Sequence, residues 1–233
     1  MRVYNMAVAG VFLLLFILVG WWCFSRQENH SLAPLTVADV SNFAPSGWSL
    51  IASTTSDFNG DGFADIAEVM ESTTDPISSN PAYEDIYPRR LIILFGGKGG
   101  YTFATSSDKA ILLNGDGGSA IGDPFGDGSG SLEAEGNLLK INYYGGSAWR
   151  WADTYTFACE GKRWHLIHYK SLSYYSPDPE GENSCTYDVD LVVGKKISVC
   201  GENEKEERED FIPLKPVYLD TFDVHDFDLG VSL

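Results

Sequence analysis

The feature that most constrains the fold is a regular alternation of short apolar or β-branched runs with glycine-rich turns, which begins after Gly47. Such runs are typical of antiparallel strands joined by tight turns. The sequence therefore predicts a mainly β domain, an antiparallel meander of short strands resembling either a propeller blade or a sandwich. The predicted strands are residues 48–54, 65–70, 90–95, 101–105, 138–144, 149–159, 164–174, 187–192 and 196–199.

An uncharged apolar stretch, AVAGVFLLLFILVGWWCF, occupies residues 7–24. As a helix it would span roughly 27 Å, enough for a bilayer core. Trp21 and Trp22 end it, and indole rings favour the membrane interface. We expect an N-terminal transmembrane helix that crosses the inner membrane once. A cleaved signal peptide and a lipid-modified Cys23 are the alternatives.

The apolar stretch divides the chain into three parts. Residues 1–26 are the membrane anchor or signal segment, and residues 27–46 are a linker with a short helix that Thr36 could cap. Residues 47–233 are the β domain, which we expect to lie outside the cytoplasm, in the periplasm or outside the cell.

The chain is strongly acidic. It has 16 basic and 33 acidic residues, which gives a net charge of −17. Such a surface repels phosphate backbones, so nucleic-acid binding is not expected. It would attract cations or a basic partner.

The most chemically specific stretch is TTSDFNGDGFADIAEV, residues 54–69. Counted from Asp57, oxygen-bearing groups stand at positions one, three, five, seven and nine, with Gly62 at position six. These groups belong to Asp57, Asn59, Asp61, Phe63 through its main-chain carbonyl, and Asp65. Hard cations collect oxygens around such a glycine turn. Two carboxylates about 4 Å apart repel by about 4 kcal/mol at an effective dielectric near 20, so the spacing predicts bound Ca²⁺.

Two further interpretations of this loop stay open. Glu68 stands at position twelve, so the string also satisfies the EF-hand pattern. However, the residues before the loop are rich in β-branched and hydroxyl side chains, which favours strand–loop–strand over helix–loop–helix. The other alternative is an acidic turn that binds nothing.

The motif DFNGDGFADIAEV resembles the calcium loop of integrin-type FG-GAP and VCBS repeats, in which a D-x-N-x-D-G-x-x-D loop joins two strands of a propeller blade. The resemblance implies Ca²⁺ held by the same five groups. Over residues 47–199 the chain is also similar to small bacterial exported proteins. These carry, in order, a GW strand, this loop, LIILFG, GDPF, YYGGSAWRW, TYTF, WHLIHY and a GKK hairpin, a likeness that implies no particular activity.

Cys185 and Cys200 bracket a predicted hairpin whose turn contains Val192, Val193 and Gly194. This register brings the two cysteines within about one position of each other across the ladder, so we expect a disulfide in an oxidising compartment. Two free thiols are the alternative. Cys159 would be unpaired in either case.

The sequence offers no recognisable catalytic constellation. His165 and His168 are three positions apart on a predicted strand, which would place them on opposite faces. Ser119, Ser129 and Ser147 lie near glycines, but none is in a G-x-S-x-G elbow. We therefore expect a protein without enzymatic activity.

Three other segments carry expectations. The aromatic segment at residues 143–155 could form an exposed platform for a glycan or peptide, but its alternation favours a core face with Trp149, Trp151, Asp153 and Tyr155 together. The acidic run at residues 201–210 is expected to be a solvated loop. Residues 220–228 are expected to form a polar edge.

Together these features predict a membrane-tethered extracytoplasmic binding module with a structural calcium site. The expected partners are the membrane, through residues 7–24, and a protein or glycan. An acidic envelope inhibitor or immunity-type protein that blocks a basic toxin or lytic enzyme is one alternative. A secreted hydrolase is the other.

Overall fold

The computed structural model describes residues 43, 46–78, 85–126, 130–178, 183–201, 206–213, 215–227 and 229. They form two antiparallel β-sheets and very little helix, which confirms the mainly β prediction. The expected membrane segment at residues 7–24, Cys23 and Thr36 lie outside these ranges. Within them, no helix combines the length and the apolar character that a membrane crossing needs.

The first sheet has four strands in the spatial order β1-β2-β3-β4. Its strands are β1 (Trp48–Ser56), β2 (Asp65–Ser72), β3 (Arg89–Phe95) and β4 (Thr102–Ser107). The β1–β2 connection is the acidic loop, so the loop joins two antiparallel strands as expected. This arrangement rules out the helix–loop–helix alternative.

The second sheet has seven strands in the order β11-β10-β9-β8-β7-β6-β5. Its strands are β5 (Ser131–Glu135), β6 (Leu138–Gly146), β7 (Trp149–Glu160), β8 (Arg163–Tyr175), β9 (Ser184–Asp190), β10 (Lys195–Cys200) and β11 (Glu206–Phe211). A four-residue helix, α1 (Gly118–Ile121), lies in the connection between the sheets. Every strand is bonded to its neighbour in sequence, so both sheets are meanders.

Side chains from both sheets contribute to one hydrophobic core. Val69 and Ile93 come from the four-stranded sheet, whereas Ile141 and Phe157 come from the seven-stranded sheet, and all four are fully buried. Burial at about 25 cal/mol per Å² of apolar surface makes this cluster the main stabilising element of the domain. The acidic loop lies at one end of the four-stranded sheet, beside this core.

The opposite face of the four-stranded sheet is also apolar. Ile66, Met70, Ile92 and Leu94 form a second buried cluster there. Phe43, Trp48 and Tyr101 pack against it. The central strands β2 and β3 are therefore buried on both faces, which explains why residues 65–70 and 90–95 have near-continuous apolar runs.

Buried charge fixes the other end of this sheet. The Arg89 guanidinium is almost fully buried and donates to Glu71 at 2.7 Å and to Asp123 at 2.8 and 2.5 Å. It also donates to the Leu112 carbonyl at 2.9 Å. Bidentate pairing of this kind compensates the cost of burying a charge. It anchors the connection between the two sheets to β3.

The predicted hairpin and its disulfide are present. Cys185 faces Cys200 directly in the β9–β10 register, and a disulfide joins them. Gly194 takes the positive φ of 71° that the turn requires, although the turn has four residues, Leu191–Gly194, rather than three. Cys159 is a buried free thiol, as expected.

Two expectations about acidic segments were wrong. Residues 206–210 belong to β11, which pairs along its full length with β10 and forms the edge of the sheet. Residues 220–226 are not a polar edge, since Phe222 and Val224 are buried in the main core. Alternating apolar residues between the acids of that segment point inwards, while the acids stay near solvent. β5 was also not predicted.

Candidate functional site

The acidic loop at residues 57–64 turns sharply at two glycines. Gly60 and Gly62 have φ values of 74° and 87°, in the left-handed region that other residues rarely adopt. These two positions reverse the chain within a few residues. The reversal brings the side chains of the first half of the loop over the main chain of its second half.

Four side-chain oxygens of this loop, from three residues, accept hydrogen bonds from consecutive main-chain amides. The Asp61 N–H donates to Asp57 Oδ1 at 3.0 Å and to Asn59 Oδ1 at 2.9 Å. The Gly62 N–H donates to Asp57 Oδ2 at 2.9 Å, and the Phe63 N–H donates to Asp61 Oδ1 at 2.9 Å. Asp57, Asn59 and Asp61 therefore lie together on the outer side of the turn.

Asp65 has a different position. It is fully buried, and its Oδ2 accepts from the N–H groups of Phe58 at 2.8 Å and Asn59 at 3.2 Å. Its Oδ1 accepts from the Gly96 N–H at 2.8 Å. Burial raises the pKa of this carboxyl, although the three main-chain N–H groups and burial act in opposite directions. Asp65 thus closes the loop and ties it to the β3–β4 turn.

The β3–β4 turn approaches the loop closely. A side chain at Gly96 would place a Cβ only 2.0 Å from the Ala64 carbonyl oxygen. Only glycine allows the Gly96 N–H to reach Asp65, so this residue is part of the site even though sequence reasoning did not include it. Its sequence signal is its place in the glycine-rich segment FGGKGG, residues 95–100, between β3 and β4.

The second residue of the loop points inwards. Phe58 is buried and packs edge to face against Trp164 of β8, with ring centroids 4.9 Å apart. A large apolar side chain between Asp57 and Asn59 was the sequence signal for this anchor, and it was missed. Because Phe58 faces the core, the polar side chains that flank it are held on the solvent side.

The donor set suits a hard cation, because calcium takes carboxylate, amide and carbonyl oxygens. Asp57, Asn59 and Asp61 are the side chains that could hold it at the turn, with the Phe63 carbonyl as a main-chain donor. Asp65 would support the loop from its inner side, since it is fully buried and is bonded to the N–H groups of Phe58 and Gly96. Among the described residues, no group of three or more His, Cys, Asp or Glu side chains is positioned to hold a metal ion. Asp57, Asp61 and Asp65 therefore do not form such a group, and the expected set would also need the Asn59 amide oxygen and the Phe63 carbonyl oxygen.

Glu68 lies away from the loop. It lies on β2 opposite Ser53 and Ile92, beside the second buried cluster, and is only 5% exposed. Burial raises its pKa above the ordinary value. At the twelfth position of an EF-hand loop, the Glu68 side chain would have to reach the ion at the turn. Glu68 instead lies on β2, which runs away from the turn.

The histidines of β8 have separate partners. Thr156 faces His168 and Ala158 faces His165, so the bulge between these pairs brings both histidines to one face of the strand, contrary to expectation. His168 Nε2 lies 2.8 Å from Asp188, and the His165 ring packs on Tyr218 with centroids 4.6 Å apart. Each imidazole ring therefore contacts a different neighbouring side chain.

The described cysteine and serine side chains that could act as nucleophiles show no sign of activation. Burial raises the pKa of the Cys159 thiol to about 11, which keeps it protonated at neutral pH. Ser119 and Ser147 are exposed, and Ser129 lies outside the described residues. These observations leave the expectation of a non-catalytic protein as a prediction.

The aromatic segment divides between core and surface. Tyr143 and Tyr155 are buried, and Trp151 packs against the same core. Trp149 is 55% exposed and lies against Tyr175 with ring centroids 5.2 Å apart. The core interpretation therefore holds for Tyr155 and Trp151, while the exposed Trp149 and the half-buried Tyr175 form an aromatic pair where β7 begins and β8 ends.

The resemblance to FG-GAP and VCBS repeats rests on the sequence motif of this loop. That resemblance, and the one to small exported proteins, stay predictions. Comparisons of the chain with protein-family models, with curated proteins and with solved structures give no match.

Proposed function

We propose that this protein is a membrane-tethered extracytoplasmic binding module in which one Ca²⁺ stabilises the acidic loop, and that it acts without catalysis. The observation that carries the proposal is the convergence of Asp57 Oδ1 and Asn59 Oδ1 within 3.0 and 2.9 Å of one amide nitrogen, that of Asp61. The carboxylates of Asp57 and Asp61 and the amide oxygen of Asn59 belong to one short turn, where they accept from three consecutive main-chain N–H groups. A hard cation would neutralise the two carboxylates.

Calcium in this loop would act on the fold through two contacts. Phe58 connects the loop to Trp164 in the seven-stranded sheet, and Asp65 connects it to Gly96 in the β3–β4 turn. A loop ordered by the ion would hold both contacts in place. The role is therefore structural, and the binding surface lies elsewhere.

The location outside the cytoplasm has two supports. The apolar residues 7–24 are suited to a tether in the inner membrane. The Cys185–Cys200 disulfide is typical of an oxidising compartment, such as the periplasm or the cell exterior. Extracellular calcium modules work with dissociation constants of about 10⁻⁴ to 10⁻³ M.

The Trp149–Tyr175 pair, in which Trp149 is exposed and Tyr175 half-buried, is the surface that best suits a protein or glycan partner. Exposed aromatic rings on a rigid strand end supply contact area at low cost in conformational entropy. Arg150, on the neighbouring face of β7, donates to the Gly146 carbonyl at 3.1 Å.

Thermal unfolding of the full chain in detergent tests the calcium role. In about 2 mM CaCl₂, affinity in the stated range corresponds to about 0.6 to 1.8 kcal/mol, or a few degrees in melting temperature, relative to chelator. The Asp57→Ala/Asp61→Ala variant should lose this shift. The control Glu135→Ala/Asp226→Ala removes the same charge at two exposed positions and should keep it. Equal melting temperatures with calcium and with chelator would remove the proposal.

The net charge of −17 favours a second candidate, an acidic inhibitor of a basic envelope toxin or lytic enzyme. Such a complex would form at low ionic strength and dissociate in high salt. Capture of a basic protein from envelope extracts at low salt, with release at about 0.5 M NaCl, would support it. A partner that stays bound at high salt would point instead to the aromatic pair.

A further inference from the structure

The outermost strand of the seven-stranded sheet, β11, has an open edge. It pairs with β10 on one side, and among the described residues no strand pairs with its other side. The Ile212 N–H donates to the Gly194 carbonyl at 2.9 Å, on the β10 side. Because alternate residues of an antiparallel strand direct their main-chain groups to the same neighbour, Asp210 also faces β10, whereas Glu209 and Phe211 direct their N–H and C=O groups outwards. These outward groups are a template for a further strand.

An exposed apolar corner lies at the end of this edge. Phe211 is 78% exposed, and Val192 and Val193, in the β9–β10 turn, are 63% and 59% exposed. The hydrogen bond from Ile212 to Gly194 ties the end of β11 to that turn. Seven large apolar side chains are exposed in the described part of the chain, and three of them lie at this corner. Such a concentration of exposed apolar surface marks an interaction site.

The charge of β11 selects the kind of strand that can be added. Its six residues, EEREDF, include four acids and one base, so its net charge is −3. Glu209 lies 2.9 Å from Lys195 in a solvent-exposed pair, which screening makes weak and therefore easy to exchange for another partner. A second copy of β11, or any other acidic strand, would be repelled from this edge, whereas a basic strand would be attracted.

We propose that β11 binds an extended basic segment of a partner protein by strand addition. The main chain of the segment bonds to the outward groups of Glu209 and Phe211. Its basic side chains lie opposite Glu209 and Asp210, and an apolar side chain packs on Phe211. The inference deepens the second candidate function, the inhibition of a basic envelope protein, and rests on it. Calcium has no part in it.

A designed peptide tests this edge with the full chain in non-ionic detergent. The hexapeptide Val-Lys-Lys-Thr-Lys-Lys, antiparallel to β11, places valine opposite Phe211 and its first two lysines opposite Asp210 and Glu209. We expect saturable binding, measured by fluorescence anisotropy of the labelled peptide. At saturation, hydrogen exchange followed by mass spectrometry should be slower in β11, because the outward N–H groups become bonded.

The matched control peptide carries a methyl group on the main-chain nitrogen of its second lysine. It keeps every charge and side chain, but it lacks the N–H that would donate to the Glu209 carbonyl. We expect it to bind at least about tenfold more weakly, which equals a loss of about 1.4 kcal/mol.

Two variants at Glu209 separate the main chain from the charge. Glu209→Pro removes the outward N–H and leaves the β10 ladder intact, because that N–H does not bond to β10. Glu209→Gln removes the same charge and keeps the N–H. We expect Glu209→Pro to weaken peptide binding at least about tenfold, and Glu209→Gln to weaken it no more than about threefold. If Glu209→Pro does not fold, the two peptides carry the test.

Equal binding of the two peptides, or equal binding by the two variants, would overturn strand addition and leave an attraction between charges alone. Slower exchange confined to the acidic loop at residues 57–64 would also overturn it. Salt-sensitive capture of a basic envelope protein by Glu209→Pro, as efficient as by the parent, would overturn this inference while the second candidate function stands.

Discussion

The ring of Phe58 meets the indole of Trp164 edge to face, with the two centroids 4.9 Å apart and the planes inclined at 74°. Phe58 is the second residue of the acidic loop, and Trp164 lies near the start of β8. The contact therefore joins the loop of one sheet to a strand of the other. Through Phe58, the loop is anchored in the hydrophobic core.

Loss of this contact should destabilise the whole domain. Phe58→Ala removes a buried ring, so we expect a fall of about 3–5 kcal/mol in the free energy of unfolding. Phe103→Ala is the control, because Phe103 is 58% exposed and its loss should cost no more than about 1 kcal/mol. Urea denaturation followed by tryptophan fluorescence measures both. Equal costs for the two variants would show that the loop does not rest on Trp164.

Asp65 should matter for stability even without calcium. Asp65→Ala leaves the N–H groups of Phe58, Asn59 and Gly96 without their acceptor, which should cost at least about 3 kcal/mol. Asp65→Asn keeps one acceptor oxygen and should cost less. Both variants are to be compared with the parent by urea denaturation in chelator. A variant that is destabilised only when calcium is present would assign Asp65 to the ion instead.

Glu68 should make stability depend on pH. Burial raises its folded pKa above the ordinary 4.5, so the folded state holds the proton more tightly than the unfolded chain does. Its stabilising contribution is complete below pH 4.5 and is lost as the pH rises through the raised folded value. Glu68→Gln should therefore be more stable than the parent at pH 7, with an advantage that shrinks towards pH 4.5.

The control for this pH effect is Glu133→Gln, which removes a charge at an exposed position of β5. Denaturation at several pH values between 4 and 8 gives the difference between each variant and the parent. A Glu68→Gln advantage that is constant over this range, or equal to that of Glu133→Gln, would contradict the burial of an ionisable group at this position.

The Cys185–Cys200 bridge should contribute measurably to stability. The two residues are 15 apart in sequence, and closing a loop of that length stabilises by about 3 kcal/mol in the chain-entropy view. Cys185→Ser/Cys200→Ser should lose that amount, and reductant should bring the parent to the same level. Cys159→Ala should retain the full response to reductant. A parent that is insensitive to reductant would argue against the bridge.

The sequence was sufficient for features that local chemistry determines. The D-x-N-x-D-G spacing predicted the turn at Asp57–Asp65, because glycines and short polar side chains dictate such a reversal within a few residues. The Cys185–Cys200 pairing followed in the same way from strand alternation around Gly194. Both features depend on neighbours close in sequence.

Features that depend on tertiary packing were missed. β11 has the charged sequence EEREDF, and only pairing with β10 makes it a strand. The bulge in β8 brings His165 and His168 to the same face, which counting alternate positions cannot detect. Asp65 looked like one more ligand, whereas its burial against Gly96 depends on how the β3–β4 turn docks.

The neighbour-to-neighbour order of strands in both sheets has a consequence for how the chain acquires its structure. Because each strand pairs with the one made just before it, either sheet can grow by successive hairpins, and contacts of small sequence separation favour fast folding. Contacts between residues far apart in sequence form later. One of them is the hydrogen bond that the Val224 N–H donates to the Lys109 carbonyl at 3.0 Å. We expect the C-terminal segment to pack last, after the two sheets have formed and assembled the rest of the core.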